Sequence, residues 1–137
     1  MKKKYNKAFW FFSDLANINL PKSIKAISTG MAVGGKVLFD TDSFYRILFY
    51  LQTHHQSKFT FDAKKLELIE KKNNLRAPYP ILPIWNEWFQ AAGLIIQQVF
   101  GNYDFSPYSI NSPRLIIIVK KMPGLKRINQ GKYLSFN

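Results

Sequence analysis

Residues 28–40, Ser28-Thr29-Gly30-Met31-Ala32-Val33-Gly34-Gly35-Lys36-Val37-Leu38-Phe39-Asp40 (STGMAVGGKVLFD), decide how the chain is read. Gly30 and Gly35-Lys36 fit the G-x-x-x-x-G-K spacing of a phosphate loop, whose next residue must supply a hydroxyl to Mg²⁺. That residue is Val37. The flanks are reversed as well. A phosphate loop follows a strand and opens a helix, whereas Ile24 and Ile27 give Ser23–Thr29 a helical spacing and Lys36-Val37-Leu38-Phe39 reads as a strand. The glycines are therefore expected to turn the chain from helix to strand, with Lys36 projecting from the turn towards phosphate.

Working outward, Asp40-Thr41-Asp42-Ser43 offers several N-caps to a helix in which Phe44, Ile47, Leu48 and Leu51 share one face and which ends near Thr53–Gln56. Lys58-Phe59-Thr60-Phe61 alternates like a strand, and Lys64–Lys72 fits either a short helix or a strand. Pro78, Pro80 and Pro83 mark an extended connector. Ile84–Phe100 is expected to be one helix, apolar around much of its circumference through Trp85, Trp88, Phe89, Leu94, Ile95, Ile96 and Val99. Arg114-Leu115-Ile116-Ile117-Ile118-Val119-Lys120 is a strand by its β-branched content. Residues 8–16 are apolar and aromatic, with Pro21 limiting any helix begun there. The expectation is an α+β fold: a single small domain over 1–137, of α-β-α-β-β order, with an inserted apolar helix within 75–112.

The chain has 137 residues, 47% apolar, and a net charge of +12. That is enough for one core, and the charge points to a polyanionic or acidic partner. Without cysteine there is no disulfide, thiolate metal site or cysteine nucleophile. No apolar run approaches the ~18 residues that span a bilayer, and a soluble protein is expected. His54-His55 point about 100° apart on a helix and suit a polar helix end better than a metal site. Asp40, Asp42 and Asp62 read as caps and turns, not as an acid–base pair. No cofactor is implied. Residues 1–25 carry six lysines against Asp14 alone, residues 114–137 carry no acid, and 77–113 carry no Lys or Arg.

The run IKAISTGMAVGGK from Ile24 resembles the first helix and loop of the small ribosomal subunit protein eight family, with Ile24, Ile27 and Gly30 on the family's positions and Thr29 where Asn is usual. VLFDTDSFYRILFYLQTHHQSKF (37–59) is similar to its next strand, cap and helix, and Lys121-Met122-Pro123-Gly124-Leu125-Lys126 to its Pro-Gly turn, with Leu134 on a downstream leucine. The protein thirteen family is a looser match through INLP (18–21) and RLIIIVKKMPGLKR (114–127). The first resemblance implies a non-enzymatic constituent of the small subunit, in a mitochondrial ribosome by the Asn, Ile, Lys, Phe and Tyr bias. It covers the family's N-terminal domain; the C-terminal domain would be lost or supplied by another chain. Lys2, Lys3, Lys4, Lys7, Lys22, Lys25, Lys36, Lys120, Lys121, Lys126, Arg127 and Lys132 would bind rRNA phosphates. Trp85, Trp88, Phe89, Ile95, Ile96 and Val99 would meet neighbouring ribosomal proteins. An accessory subunit of a mitochondrial respiratory membrane complex is the alternative.

Overall fold

The computed structural model describes residues 3–11, 19–124, 127–128 and 132–133, of which residues 10, 11, 127, 128, 132 and 133 are described as backbone alone. The turn at 28–40 forms as its composition dictates. Helix α1 (Leu20–Gly30) begins at Asn19, whose side chain accepts the Lys22 N–H at 3.1 Å, and Pro21 sits in its first turn. Pro21 starts this helix where it was expected to limit one, because the first-turn N–H has no intrahelical partner to lose. Strand β2 (Met31–Asp42) follows directly.

Strand β1 (Tyr5–Phe11), within and just before a stretch read only as apolar, lies parallel to β2, so the chain opens on a strand and not on a helix. Gly35 makes that pairing possible. A Cβ there would lie 2.9 Å from the Ala32 carbonyl and 3.1 Å from those of Tyr5 and Asn6. Gly35 thus serves the close approach of two strands, and Gly34, at φ +83°, the turn of the backbone before it.

Helix α2 (Phe44–Thr53) ends where expected. It is followed by an antiparallel meander of β3 (Phe59–Asp62), β4 (Glu67–Glu70) and β5 (Leu75–Pro78). Helix α3 (Leu82–Ala91) then leads into β6 (Leu94–Phe100). The single helix expected over 84–100 is corrected here. Gly93, at φ +76°, ends α3 in a conformation that costs L-residues with a side chain ~1–2 kcal/mol, and Leu94-Ile95-Ile96 continues as a strand. Strand β7 (Arg114–Lys121) pairs with both β2 and β6, antiparallel to each. Two short strands, β8 (Arg127–Ile128) and β9 (Lys132–Tyr133), pair with each other.

The main sheet has the order β1-β2-β7-β6, with β1, β2 and β6 running one way. The coarse α+β class holds, but the order does not. The expected inserted helix is integral: α3 places Trp85 and Phe89, 1% and 0% exposed, against Phe39 of β2 in the same core as Leu20 and Ile24 of α1 and Ile117 and Val119 of β7. Phe89 lies 4.9 Å from Phe39 and 5.7 Å from Trp85, centroid to centroid. Side chains of this size contribute ~1.5–3 kcal/mol each on burial. Both helices cover the face bearing Val37, Phe39, Ile117 and Val119. Among the described residues no helix is long and apolar enough to cross a membrane.

Candidate functional site

Because β1, β2 and β6 are co-directional, their carboxyl ends meet at one rim of the sheet, the rim at which open α/β sheets hold ligands. There β2 delivers Asp40 and Asp42, and Arg114 enters β7 directly opposite Asp42. The Arg114 guanidinium donates to Asp40 Oδ1 from Nε at 3.0 Å and from Nη2 at 2.8 Å, and to Asp42 Oδ1 from Nη1 at 2.7 Å. Tyr103, on the loop after β6, donates its hydroxyl to Asp40 Oδ2 at 2.8 Å, and its ring lies 5.8 Å from the guanidinium carbon. Asp40 is 2% exposed. Burial opposes the Arg114 charge, but the Asp40 bonds and both carboxylates outweigh it, and its pKa is raised. The hydrogen bond to Asp40, then desolvation, raises the Tyr103 pKa.

Ser43, fully buried, caps this rim: its N–H donates to the Pro113 carbonyl at 3.3 Å and its hydroxyl lies 3.3 Å from the Tyr108 hydroxyl. Asp40 and Asp42 are therefore strand residues in an ion-pair network, a correction to their reading as caps. Asp62 does serve a turn, accepting the Lys64 and Lys65 N–H groups, which hold its pKa down.

A cavity of about 340 Å³ opens beside Asp42 between α2 and the meander. Arg46, Tyr50 and Tyr79 give it polar groups, and Ile47 and Leu68 apolar walls. Desolvation, then the Asp42 charge, raises the Tyr79 pKa, so the phenol stays protonated near neutrality. Asp42 Oδ2 makes no hydrogen bond among the described residues. On the other side of α2 a groove of about 600 Å³ is lined by Tyr45, Phe49 and Ile110, the last two 67% and 69% exposed. Among the described residues no cluster of acids and histidines could hold a metal ion.

The lysines expected to act together are spread over the fold. Lys7, Lys36 and Lys120 stand side by side on the face of the main sheet opposite α1 and α3. Lys22 and Lys25 lie on α1, over the opposite face, and Lys3 is exposed near the start of the chain. Lys4 Nζ donates to the Thr29 carbonyl. Lys121 Nζ donates to the carbonyls of Ser28 at 2.6 Å and Met31 at 3.0 Å, closing the C-terminal end of α1. Lys2 and Lys126 lie outside the described residues, and Arg127 and Lys132 are described only as backbone of β8 and β9. Trp85 and Phe89 are interior; Trp88, Ile96 and Val99 pack against the core, and Ile95 is half-buried beside Lys120. The Asp40–Arg114–Tyr103 network escaped sequence reasoning because its members are 74 and 63 residues apart.

The sequence matches no protein-family model and no curated protein. Solved structures do share the fold. The CcbJ methyltransferase from Streptomyces caelestis superposes with a TM-score of 0.64 at 9% identity, over 89% of this chain and 59% of its own. An S-adenosylmethionine-dependent methyltransferase from Clostridium acetobutylicum gives 0.64 at 14% identity, over 90% of this chain and 61% of its own. One from Mesorhizobium loti gives 0.59 at 9% identity, over 88% and 63%. The chain thus spans about three-fifths of the length of each. These likenesses overturn the resemblance to small-subunit protein eight, the rival resemblance to protein thirteen, and the scaffold function and rRNA and ribosomal-protein partners drawn from them. The expectation of a non-enzyme falls with them, since the structures sharing this fold are enzymes, and nothing supports a respiratory-complex subunit. The fold of this chain is one found in S-adenosylmethionine-dependent methyltransferases.

Proposed function

We propose that residues 1–137 supply the acceptor-binding side of an S-adenosylmethionine-dependent methyltransferase. One observation carries the reading: in a fold shared with such enzymes, a cavity with convergent polar groups opens beside Asp42, at the carboxyl end of β2. Its size suits a small molecule. Its chemistry suits an acceptor with an apolar body and a nucleophilic N–H or O–H group. Asp42 Oδ2 would accept a hydrogen bond from that group, and the protonated Tyr79 would donate one to a neighbouring acceptor atom. Arg46 at the mouth adds a cation for an anionic substituent.

The methyl donor itself does not fit the described residues. In α/β folds a nucleotide approaches the backbone closely at a glycine placed where a strand ends. Gly34 and Gly35 lie in the first half of β2, and Gly93 precedes β6. Gly101, at the carboxyl end of β6, has its side-chain space filled by the protein: a Cβ there would lie 2.1 Å from Ser112 Oγ. The sequence after β1, residues 12–18, contains no glycine. These residues therefore hold the acceptor and leave the donor to be held elsewhere.

The test is transfer of a tritiated methyl group by the assembly isolated from its native cells on tagged full-length chain. Asp42→Asn and Tyr79→Phe are each expected to lower transfer by about 10²-fold, the scale of a positioned acid–base group. Transfer untouched by both substitutions would overturn the acceptor site.

A further inference from the structure

The cavity beside Asp42 and the groove on the other side of α2 meet at one side chain, and the inference drawn from that junction rests on the acceptor site proposed above. Successive residues of a helix are rotated by about 100°. On α2 this turns Tyr45, Phe49 and Gln52 towards the groove and Ile47, Tyr50 and Leu51 towards the cavity. Arg46 stands on the boundary and lines both. Among the described residues it forms no ion pair, with Asp42 or with any other carboxylate.

Both walls of the groove are held in place. The far wall is the turn 110–113. There the Ser109 N–H donates to Ser112 Oγ at 2.8 Å, the Ser112 N–H to the Ser109 carbonyl at 3.1 Å, and the Ser43 N–H to the Pro113 carbonyl at 3.3 Å. Ser112 is buried, its side chain filling the space above Gly101. Ile110 is therefore displayed to solvent on a pinned turn. On the near wall the Tyr45 ring is set between Phe44 at 5.6 Å and Tyr108 at 6.2 Å, centroid to centroid, and Phe49 is exposed one turn further on. Helices α1 and α3 each bury apolar residues, whereas α2 buries none. Apolar side chains facing each other across a preformed cleft leave surface that a ligand would remove from water.

We infer that the acceptor is an elongated amphipathic monocarboxylate. Its methyl-accepting N–H or O–H group lies beside Asp42, its carboxylate on Arg46, and its apolar tail in the groove against Tyr45, Phe49 and Ile110. The guanidinium fork matches a carboxylate bidentately. Asp42, on the same cavity, favours a single negative charge over the nearly double charge of a phosphate monoester, because it repels like charge at short range. A membrane surface or a second copy would cover the groove but would not enter the cavity that continues from it.

Calorimetric titration of the full-length chain with three probes tests the inference. N-octanoyl-tyrosine carries a phenol, a carboxylate and a tail. N-acetyl-tyrosine has the tail cut short, and N-octanoyl-tyrosine amide lacks the charge. The first is expected to bind at least about tenfold more tightly than either of the others, through buried methylenes and a charge-assisted hydrogen bond. Arg46→Met should erase the preference for carboxylate over amide, and Phe49→Gln/Ile110→Gln the preference for octanoyl over acetyl. Lys22→Glu/Lys25→Glu, on α1, should keep both. Equal binding of the three probes, no binding of any, or preferences that survive those substitutions would overturn the inference. A dimer that Phe49→Gln/Ile110→Gln disperses would overturn it too, by giving the groove to a second copy. The two readings fail separately. Selective probe binding by a chain whose native assembly never binds S-adenosylhomocysteine keeps the amphiphile site and removes the methyltransferase. Methyl transfer that needs Asp42 and Tyr79, by a chain that binds the three probes alike, does the reverse.

Discussion

Replacing Arg114 by Met (R114M) is expected to be far more costly than removing either exposed neighbour. Asp40 has a side chain 3% exposed and takes two of its three hydrogen bonds from Arg114, at 3.0 and 2.8 Å, leaving only Tyr103 at 2.8 Å once the guanidinium is gone. Removing one partner of a buried ion pair costs ~3–5 kcal/mol, because the other charge stays buried without compensation. The guanidinium is 20% exposed and Asp42 36% exposed, so solvent screens part of the network and the lower end, ~3 kcal/mol, is expected. Asp42→Asn, which leaves the Asp40 pair intact, should cost no more than ~1 kcal/mol. The double variant Asp40→Asn/Arg114→Met leaves unpaired only the Asp42 carboxylate, whose side chain is 36% exposed, strands no buried charge, and should be more stable than Arg114→Met alone. Urea unfolding followed by far-UV circular dichroism, with unchanged m, gives all three values. An Arg114→Met loss below about 1 kcal/mol, or a double variant no more stable than Arg114→Met alone, would refute the buried-pair reasoning.

Gly101→Ala places a methyl 2.1 Å from Ser112 Oγ and 2.9 Å from the Pro107 carbonyl, and overpacking of this kind costs ~1–3 kcal/mol, read by the same urea titration. Ser112→Gly in the Gly101→Ala background should recover only part of the loss, since the Pro107 contact remains. Lys121→Met removes the two bonds closing α1 and should lower stability by ~1 kcal/mol, with helix exchange fastest near Ser28–Gly30. At high pH, Tyr103 and Tyr79 set the sign: both are raised above 10.0, Tyr103 first by its bond to Asp40 and Tyr79 first by burial. Their contribution is whole below the unfolded value and is lost as pH rises through the folded values. The urea midpoint should therefore fall from pH 10 upward, and Tyr103→Phe/Tyr79→Phe should flatten that fall.

Elements whose signal is local were legible in the sequence. Helix α2 showed in the spacing of Phe44, Ile47, Leu48 and Leu51, strand β7 in its β-branched run, and the helix-turn-strand order in Gly30–Phe39. Strand β1 was not: its aromatic residues have no clean alternation, because Phe9 and Ala8 face opposite sides and both are apolar. The helix expected over 84–100 ran through Gly93, the one punctuation mark between two apolar elements, because buried helix and buried strand look alike over short runs. The site was hidden for a different reason. Its network joins Asp40 to Arg114 and Tyr103 through register and loop return, and no spacing in the chain encodes that. The ribosomal resemblance rested on short helix-turn-strand pieces, which many α/β units share, and not on the sheet order.

Calorimetric titration of S-adenosylhomocysteine, the demethylated form of the methyl donor, into residues 1–137 and into the native assembly tests the division of labour most directly. With the donor held outside the described residues, residues 1–137 alone should give no measurable heat of binding and the assembly should bind at one site per chain. Tight binding to residues 1–137 alone would contradict that division, and an assembly that does not bind would contradict the methyltransferase reading.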